Sequence, residues 1–488
     1  MRWGVAARER AEVSAVMAHS DDPPVVAAQT LDAWRDFREV MEISLPTIVA
    51  MASHTVMGFI DTIMLAHYGT NELAAVGAAG VMSFVVGAFI FGTASCTSTF
   101  VSQCMGRGEP QECARYTWQG IWFGMGAQAL VVPLIVWPDA VFALFDLEAA
   151  VSGPAGQYFG LRMAHMAGTA GYAALSSFFQ GISRPGIPMW VAIISNLFNA
   201  GADWALIFGK LGFPAMGIGG AAWATVAASY LQVLLLLAAF LSGPMHERFR
   251  TRSCAGPDLR RFWRLMAIGA PAGLNFMLDV ASWAVFTNAL IGPLGRNVLA
   301  ANTATGQITS LSFMPAVGVN KGITVLVGQY IGRRDFAAAK RLAYLGLKLA
   351  MAYMAVMGLL FLLFPGPLMG MFVPQRAAAA SRVEILDIGR KMLIFAAVYQ
   401  AFDAIWIVMM GALRGAGDTR FPAVVCVGLA WGFLLPLGYL LTYRLGWGYV
   451  GAWTASAVHT AVAGLVLLWR FASGGWRKID IFKGAASS

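Results

Sequence analysis

The sequence predicts an all-α integral membrane protein of twelve transmembrane helices, arranged as two six-helix lobes related by pseudo-symmetry. Three observations carry this. Of 488 residues, 58% are hydrophobic and only 12% charged, too apolar for a chain that buries a core and wets its surface. Apolar stretches long enough to cross roughly 30 Å of hydrocarbon recur from end to end, so helices rather than a barrel satisfy the backbone. The second half also repeats the first.

Taken in order, the spans fall at 40 to 66, 74 to 101, 118 to 137, 156 to 180, 187 to 209, 217 to 241, 266 to 292, 299 to 330, 341 to 364, 388 to 413, 421 to 445 and 450 to 472. Residues 1–38 hold Arg2, Arg8, Arg10 and Asp21-Asp22 without the apolar core of a cleavable leader, and read as a disordered cytoplasmic tail. Residues 39–241 form the N-lobe, 265–472 the C-lobe and 473–488 a second cytoplasmic tail. The connection 242–264 carries Arg248, Arg250, Arg252, Arg260, Arg261 and Arg264, and reads as a basic cytoplasmic linker and hinge.

A net charge of +9 raises the question of nucleic acid, but Lys and Arg lie in the loops between apolar segments, with no aromatic-interleaved basic domain. They orient the chain in the bilayer. Loops after even-numbered spans hold Arg107, Arg115, Arg184, Arg333, Arg334, Lys340, Arg341, Arg414 and Arg420 besides the linker arginines, so both termini are expected in the cytoplasm and the protein in the inner or plasma membrane. Five cysteines show no CxxC spacing and read as packing residues.

The repeat can be shown residue against residue. Ser102-Gln103-Cys104-Met105-Gly106-Arg107 matches Gly328-Gln329-Tyr330-Ile331-Gly332-Arg333 at an offset of 226, and Asn71 to Ala75 matches Asn297 to Ala301 at the same offset. Gly181 to Arg184 matches Gly411 to Arg414 at 230, and Gly220-Ala221 matches Gly451-Ala452 at 231. An even number of spans per unit keeps both copies in one orientation, related by an axis along the membrane normal, with a cavity between lobes that can open to either side.

Four carboxylates fall well inside spans, where an ionised Asp costs roughly 2.5–3.5 kcal/mol even on a lenient scale and so faces a cavity, a cation or a proton path. Asp61 and Asp203 both lie roughly 8–9 Å below the outer surface at 1.5 Å per residue, a depth that lets them share one N-lobe site. Asp279 and Asp403 lie near mid-depth and suit a second, C-lobe site; Asp403 belongs to the stretch Tyr399 to Pro422, where an apolar helix ends in a basic, glycine-rich loop. Asn199 precedes Asp203 by four residues and shares its face. Oxygen ligands so placed suit Na⁺, and desolvated carboxylates equally suit a proton. Lys321 sits some nine residues inside the eighth span and reads as an internal counter-ion for Asp279 or Asp403. His54, His165 and His459, with no ligand spacing, read as satisfied polar residues.

Phe59-Ile60-Asp61-Thr62-Ile63-Met64, Gly411 to Pro422 and Gly446 to Trp453 resemble motifs of the multidrug and toxic compound extrusion (MATE) family, part of the wider MOP-type superfamily, and the similarity runs from about Glu39 to Trp469. The resemblance implies export of cationic, amphipathic drugs or toxins by antiport against Na⁺ or H⁺, with no cofactor, no catalysis and a substrate cavity between lobes. Tyr399 and Asp403, with Asp279 where Glu is usual, resemble the C-lobe cation site of the NorM-like branch. Asn199 and Asp203 facing Asp61, with Thr225 as a weaker member, resemble an N-lobe cation or proton site described more for the DinF-like branch. A monomer in the lipid bilayer is expected. A lipid-linked oligosaccharide flippase of the same superfamily is the nearest alternative and calls for a cavity rich in Arg and Lys; a membrane-embedded enzyme is less well supported, since HExxH and GxSxG are missing.

Overall fold

The computed structural model of the chain describes residues 24–68, 70–138, 149–372 and 379–483. Among these, eleven helices are long and apolar enough to cross a membrane. The twelfth expected crossing, fourth in order, is delivered as two shorter helices, Ala149–Met163 and Met166–Gly181. A break inside a membrane frees backbone groups that need partners. Here the Gln128 amide of the third span supplies them: its Nε2 donates to the Met163 carbonyl at 3.1 Å and its Oε1 accepts from the Ala167 N–H at 3.0 Å. The Tyr230 hydroxyl donates to the Ala164 carbonyl between them at 3.0 Å.

The remaining spans follow the sequence reading with local departures. The first is a single helix from Pro24 to Tyr68. Residues 24–38, expected in a disordered tail, are therefore helical, because this stretch is anchored to the C-lobe: Arg341 pairs with the buried Asp36, and the Tyr330 hydroxyl donates to Glu39 at 3.0 Å. Residues 1–23 lie outside the described residues. The second span turns at Cys96 between Thr70–Ser95 and Thr97–Arg107. The fifth is Gly186–Phe208, the sixth Ile218–Phe240, the eighth Arg296–Gly332, the tenth Ala379–Gly415 and the twelfth Gly448–Ala472. The seventh, Leu259–Val285, continues in π-helical turns, as does the eleventh from Arg420.

The linker expected to be a hinge is instead laid along the third span. Trp118 and Trp122 donate their indole N–H groups to the Thr251 and Ala255 carbonyls at 2.8 and 2.9 Å, and the helix of the seventh span already begins at Leu259. Arg261 bridges Glu112 at 2.8 Å and pairs with Asp258, fastening the linker's end. The C-terminal segment crosses between lobes in the same way. Trp476 is buried in the C-lobe core against Phe471 and Phe336, while Ile481 and Phe482 are buried in the N-lobe core, Phe482 against Phe100 and Tyr116.

The lobes meet through the repeated motifs themselves. A Cβ on Gly106 would stand 2.0 Å from the Gln329 carbonyl oxygen, and one on its repeat mate Gly332 2.2 Å from the Gln103 carbonyl oxygen, so only hydrogen fits at either position. Gln103 donates to the Gly415 carbonyl at 3.0 Å and its mate Gln329 to the Gly181 carbonyl at 2.8 Å. Each lobe thus seals against a loop of the other, at the end of the molecule that carries the basic loops. Deeper in, Gly92 meets Gly273 where the second and seventh spans cross, and Gly318 and Gly322 meet Ile48 and Ser44 where the eighth and first spans cross. The side chains of Asn71 to Ala75, the other repeated motif of the N-lobe, lie outside the described residues.

Candidate cation site and central cavity

Between the lobes lies a cavity of about 620 Å³, lined by Met51, His54, Thr55 and Gly58 of the first span, by Phe91, Gly168, Thr169, Tyr172, Ser229 and Gln232, and by Gln307, Ser310 and Met314 of the eighth. Its walls mix apolar and neutral polar groups, with His54 as the one titratable nitrogen among the lining residues. Residues 51, 54, 55 and 58 share one helical face, and Asp61 lies three residues further along it. The face that lines the cavity therefore leads to a carboxylate.

Asp61 meets Asp203 of the fifth span within direct interaction range. Asp203 and Asn199 are both 0% exposed. Apart from the contact between the two carboxyls themselves, neither carboxyl oxygen of Asp203, neither amide atom of Asn199 and not Oδ1 of Asp61 has a hydrogen-bond partner. Buried polar groups are nearly always paired, and leaving one unpaired costs about 1–3 kcal/mol. Several such oxygens are gathered here in one place. Its elements are apolar helices held by lobe packing, so the acids cannot relax toward water without opening the lobe.

Thr225 is not joined to this cluster by a hydrogen bond; its hydroxyl donates to the Ala221 carbonyl of its own helix at 2.9 Å. Arg162, which the sequence reading passed over, reaches the cluster through its charge. It stands one residue before the end of the first half of the broken span, its Nε is buried without a partner, and its charge acts on Asp61. The signal was available as an arginine some six residues inside an apolar stretch.

In the C-lobe, Asp279 and Asp403 come within electrostatic range of each other, and Tyr399 lies beside Asp403 with its ring stacked on Trp453 at 6.4 Å. Both acids are half-buried, as Asp61 is, and among the described residues no hydrogen bond joins either carboxyl to another group. Gln400, next to Tyr399, is committed to Ser312 of the eighth span at 2.9 Å.

Lys321 does not act as the counter-ion expected of it. No ion pair joins it to Asp279 or Asp403; its ammonium lies over the Phe91 ring at 5.4 Å, and its charge is felt at His54 instead. The eighth span turns that face to the second and first spans, away from the C-lobe acids. The histidines also differ from expectation. His54 reaches the Tyr172 hydroxyl at 3.4 Å, but neither ring nitrogen of His459 has a partner, and Nδ1 of His165 has none. His165 sits at the break in the fourth span.

Two pseudo-symmetric helical lobes around a central cavity, with carboxylates inside the spans, define an all-α membrane protein of two-lobed transporter architecture. The family model described as MatE matches residues 46–205 and 271–440, and the chain belongs to that family. It is 30% identical over 454 residues to a probable multidrug resistance protein NorM of Mesorhizobium japonicum, covering 90% of this chain and 94% of that one. The multidrug resistance protein NorM of Burkholderia vietnamiensis is 28% identical, covering 92% and 95%. Among solved structures, a MATE protein in complex with MaL6 superposes with a TM-score of 0.82 at 18% identity, covering 91% of this chain and 98% of that one. The eukaryotic MATE transporter AtDTX14 gives 0.79 at 20% identity, covering 91% and 97%.

Proposed function

We propose that the protein exports cationic, amphipathic drugs or toxins by antiport, with Na⁺ or H⁺ bound at Asp61, Asn199 and Asp203 as the coupling ion. The observation that carries this reading is the set of buried oxygens on these three residues that no group outside the cluster satisfies, beside the cavity face of the first span. Na⁺ would find oxygen ligands from two carboxylates and an amide, and a proton would be shared between the carboxylates. The NorM names of the relatives support the choice of drugs as cargo.

The lobes are sealed at the end bearing the basic loops, which the positive-inside rule puts in the cytoplasm together with both termini. The cavity in this state accordingly serves release to the outside and uptake of the ion. A ligand shifts such an equilibrium only by its difference in affinity between states, about 1.4 kcal/mol per factor of ten. Ion bound at the orphaned oxygens favours the return of the lobes, and its loss is tied to drug entry. The flippase reading calls for Arg and Lys in the cavity wall, and the lining holds neither.

Ethidium efflux from cells lacking their own pumps tests the proposal. Wild type lowers cell-associated ethidium, and Asp61→Asn and Asp203→Asn do not. Efflux by both variants at the wild-type rate would remove coupling from these acids. In proteoliposomes, replacing Na⁺ by choline at fixed pH separates the two ions.

A further inference from the structure

The fifth span carries more orphaned polar groups than a binding site needs. Ser195, Asn196, Asn199 and Asp203 lie on one helical face. All four are buried, at 0%, 6%, 0% and 0% exposure. The Ser195 hydroxyl and Asn196 Oδ1 lack partners, as do Asn199 and Asp203 beyond them. Asn196 makes a single side-chain hydrogen bond, donating from Nδ2 to Ser53 Oγ of the first span at 2.7 Å. Ser53 immediately precedes the cavity-lining His54. From Asn196 to Asp203 the helix rises roughly 10 Å at 1.5 Å per residue. The row therefore runs from the edge of the cavity to the carboxylate pair.

We propose that this seam between the first and fifth spans, Ser53, Ser195, Asn196 and Asn199, is the path by which the coupling ion passes between the central cavity and the Asp61–Asp203 pair, with Asn196 controlling passage. The proposal rests on the cation-site reading of that pair. A dehydrating ion or a hopping proton needs oxygen at each step, and an apolar face would present a barrier instead. Free acceptors on Ser195, Asn196 and Asn199 supply those steps at intervals of a helical turn or less. The Ser53 contact bridges the seam at its cavity end, so the path opens when Asn196 releases it. The charged and titratable groups nearby are Asp61 and Asp203 themselves, Arg162 beside Asp61, and His54 with Lys321 on the cavity side. None of them lies on the seam between Asn196 and Asn199.

The test uses the whole protein in liposomes, with ethidium as the driven substrate, pyranine reporting protons and radioactive sodium reporting Na⁺. Asn196→Leu, which keeps the bulk and removes the amide, should slow ion-coupled ethidium transport about tenfold. Equilibrium ion affinity in detergent stays at the wild-type value, because the carboxylates are untouched. Asn196→Ser keeps a hydroxyl on the path and stays within about threefold of wild type. Should Asn196→Leu fail to fold, Asn196→Ala and Ser195→Val carry the same comparison.

Transport by Asn196→Leu at the wild-type rate would overturn the path. So would a loss of ion affinity with an unchanged rate at saturating ion, which would make Asn196 a ligand. Asp203→Asn, measured alongside, keeps the two ideas apart: retained antiport there sinks the cation-site reading, whereas its loss beside a normal Asn196→Leu sinks only the path.

Discussion

The two lobes each hold a pair of membrane-embedded aspartates, yet they hold them differently. In the N-lobe Asp203 is fully buried beside Asn199, and the oxygens of both residues have no partners. In the C-lobe Asp279 and Asp403 are half-buried, their oxygens outside the set of buried, unpartnered atoms. An acid whose lone pairs no neighbouring donor satisfies destabilises its lobe unless a proton or cation fills them. On the reading proposed above, the N-lobe pair with Asn199 makes conformation depend on an ion, whereas the C-lobe pair gives the C-lobe interior a negative potential.

Replacing one acid in each lobe gives the largest separation. Asp203→Asn should reduce ion-driven ethidium efflux about a hundredfold or more, since the exchange loses its coupling and not merely a contact. Asp403→Asn should reduce efflux about three- to tenfold, mostly as weaker retention of cationic substrates, with a neutral fluorescent substrate affected less. Equal losses in the two variants would erase the distinction between lobes.

The seal at the basic end is symmetric where the acids are not, which provides a second comparison. Gly106→Val and Gly332→Val each push a side chain into a backbone carbonyl of the opposite lobe. Both should slow turnover about three- to fivefold and by similar amounts, since repeat mates contribute equal halves of one contact. Cysteine labelling of the cavity from the basic-loop side should rise in both. A large effect in one and none in the other would show that the seal is carried by a single lobe.

Much of this was legible in the residues. The twelve crossings and the duplicated motifs followed from apolar length and from matches at nearly constant offset, and one matched pair, Gly106 and Gly332, meets across the interface. Depth alone paired Asp61 with Asp203 because rise per residue along a straight helix is fixed. Rotation about each helix was harder to read. Lys321 lay at the right depth for the C-lobe acids but faces Phe91 and His54. The break at Ala164-His165 escaped notice because Gln128 and Tyr230, from two other spans, satisfy the freed backbone, and no local sequence signal records that arrangement. Asn196 and Ser53 looked like ordinary small polar residues, and only their shared hydrogen bond and lack of others distinguish them.

The smallest effect is expected at a carboxylate that has everything the buried pair lacks. Asp258 caps the seventh span, accepting from the Arg261 N–H at 2.9 Å, and pairs with the Arg261 guanidinium. Partial burial works to raise its pKa, but the Arg261 backbone and side chain, with the Arg260 N–H, outweigh this and hold the carboxyl below its ordinary range. A carboxylate with a depressed folded pKa contributes stability that is present above its unfolded value, near 3.9, and is lost as pH falls through the lower folded value. Asp258→Ala should therefore cost about 1 kcal/mol at neutral pH, read as a fall of a few degrees in the thermal transition. The difference from wild type should shrink as the buffer is taken below about pH 4, and efflux per folded molecule should not change. A loss of efflux comparable to that of Asp203→Asn would mean that partnered acids at the membrane surface also take part in coupling, and the contrast between sealed and satisfied carboxylates would no longer explain which of them matter.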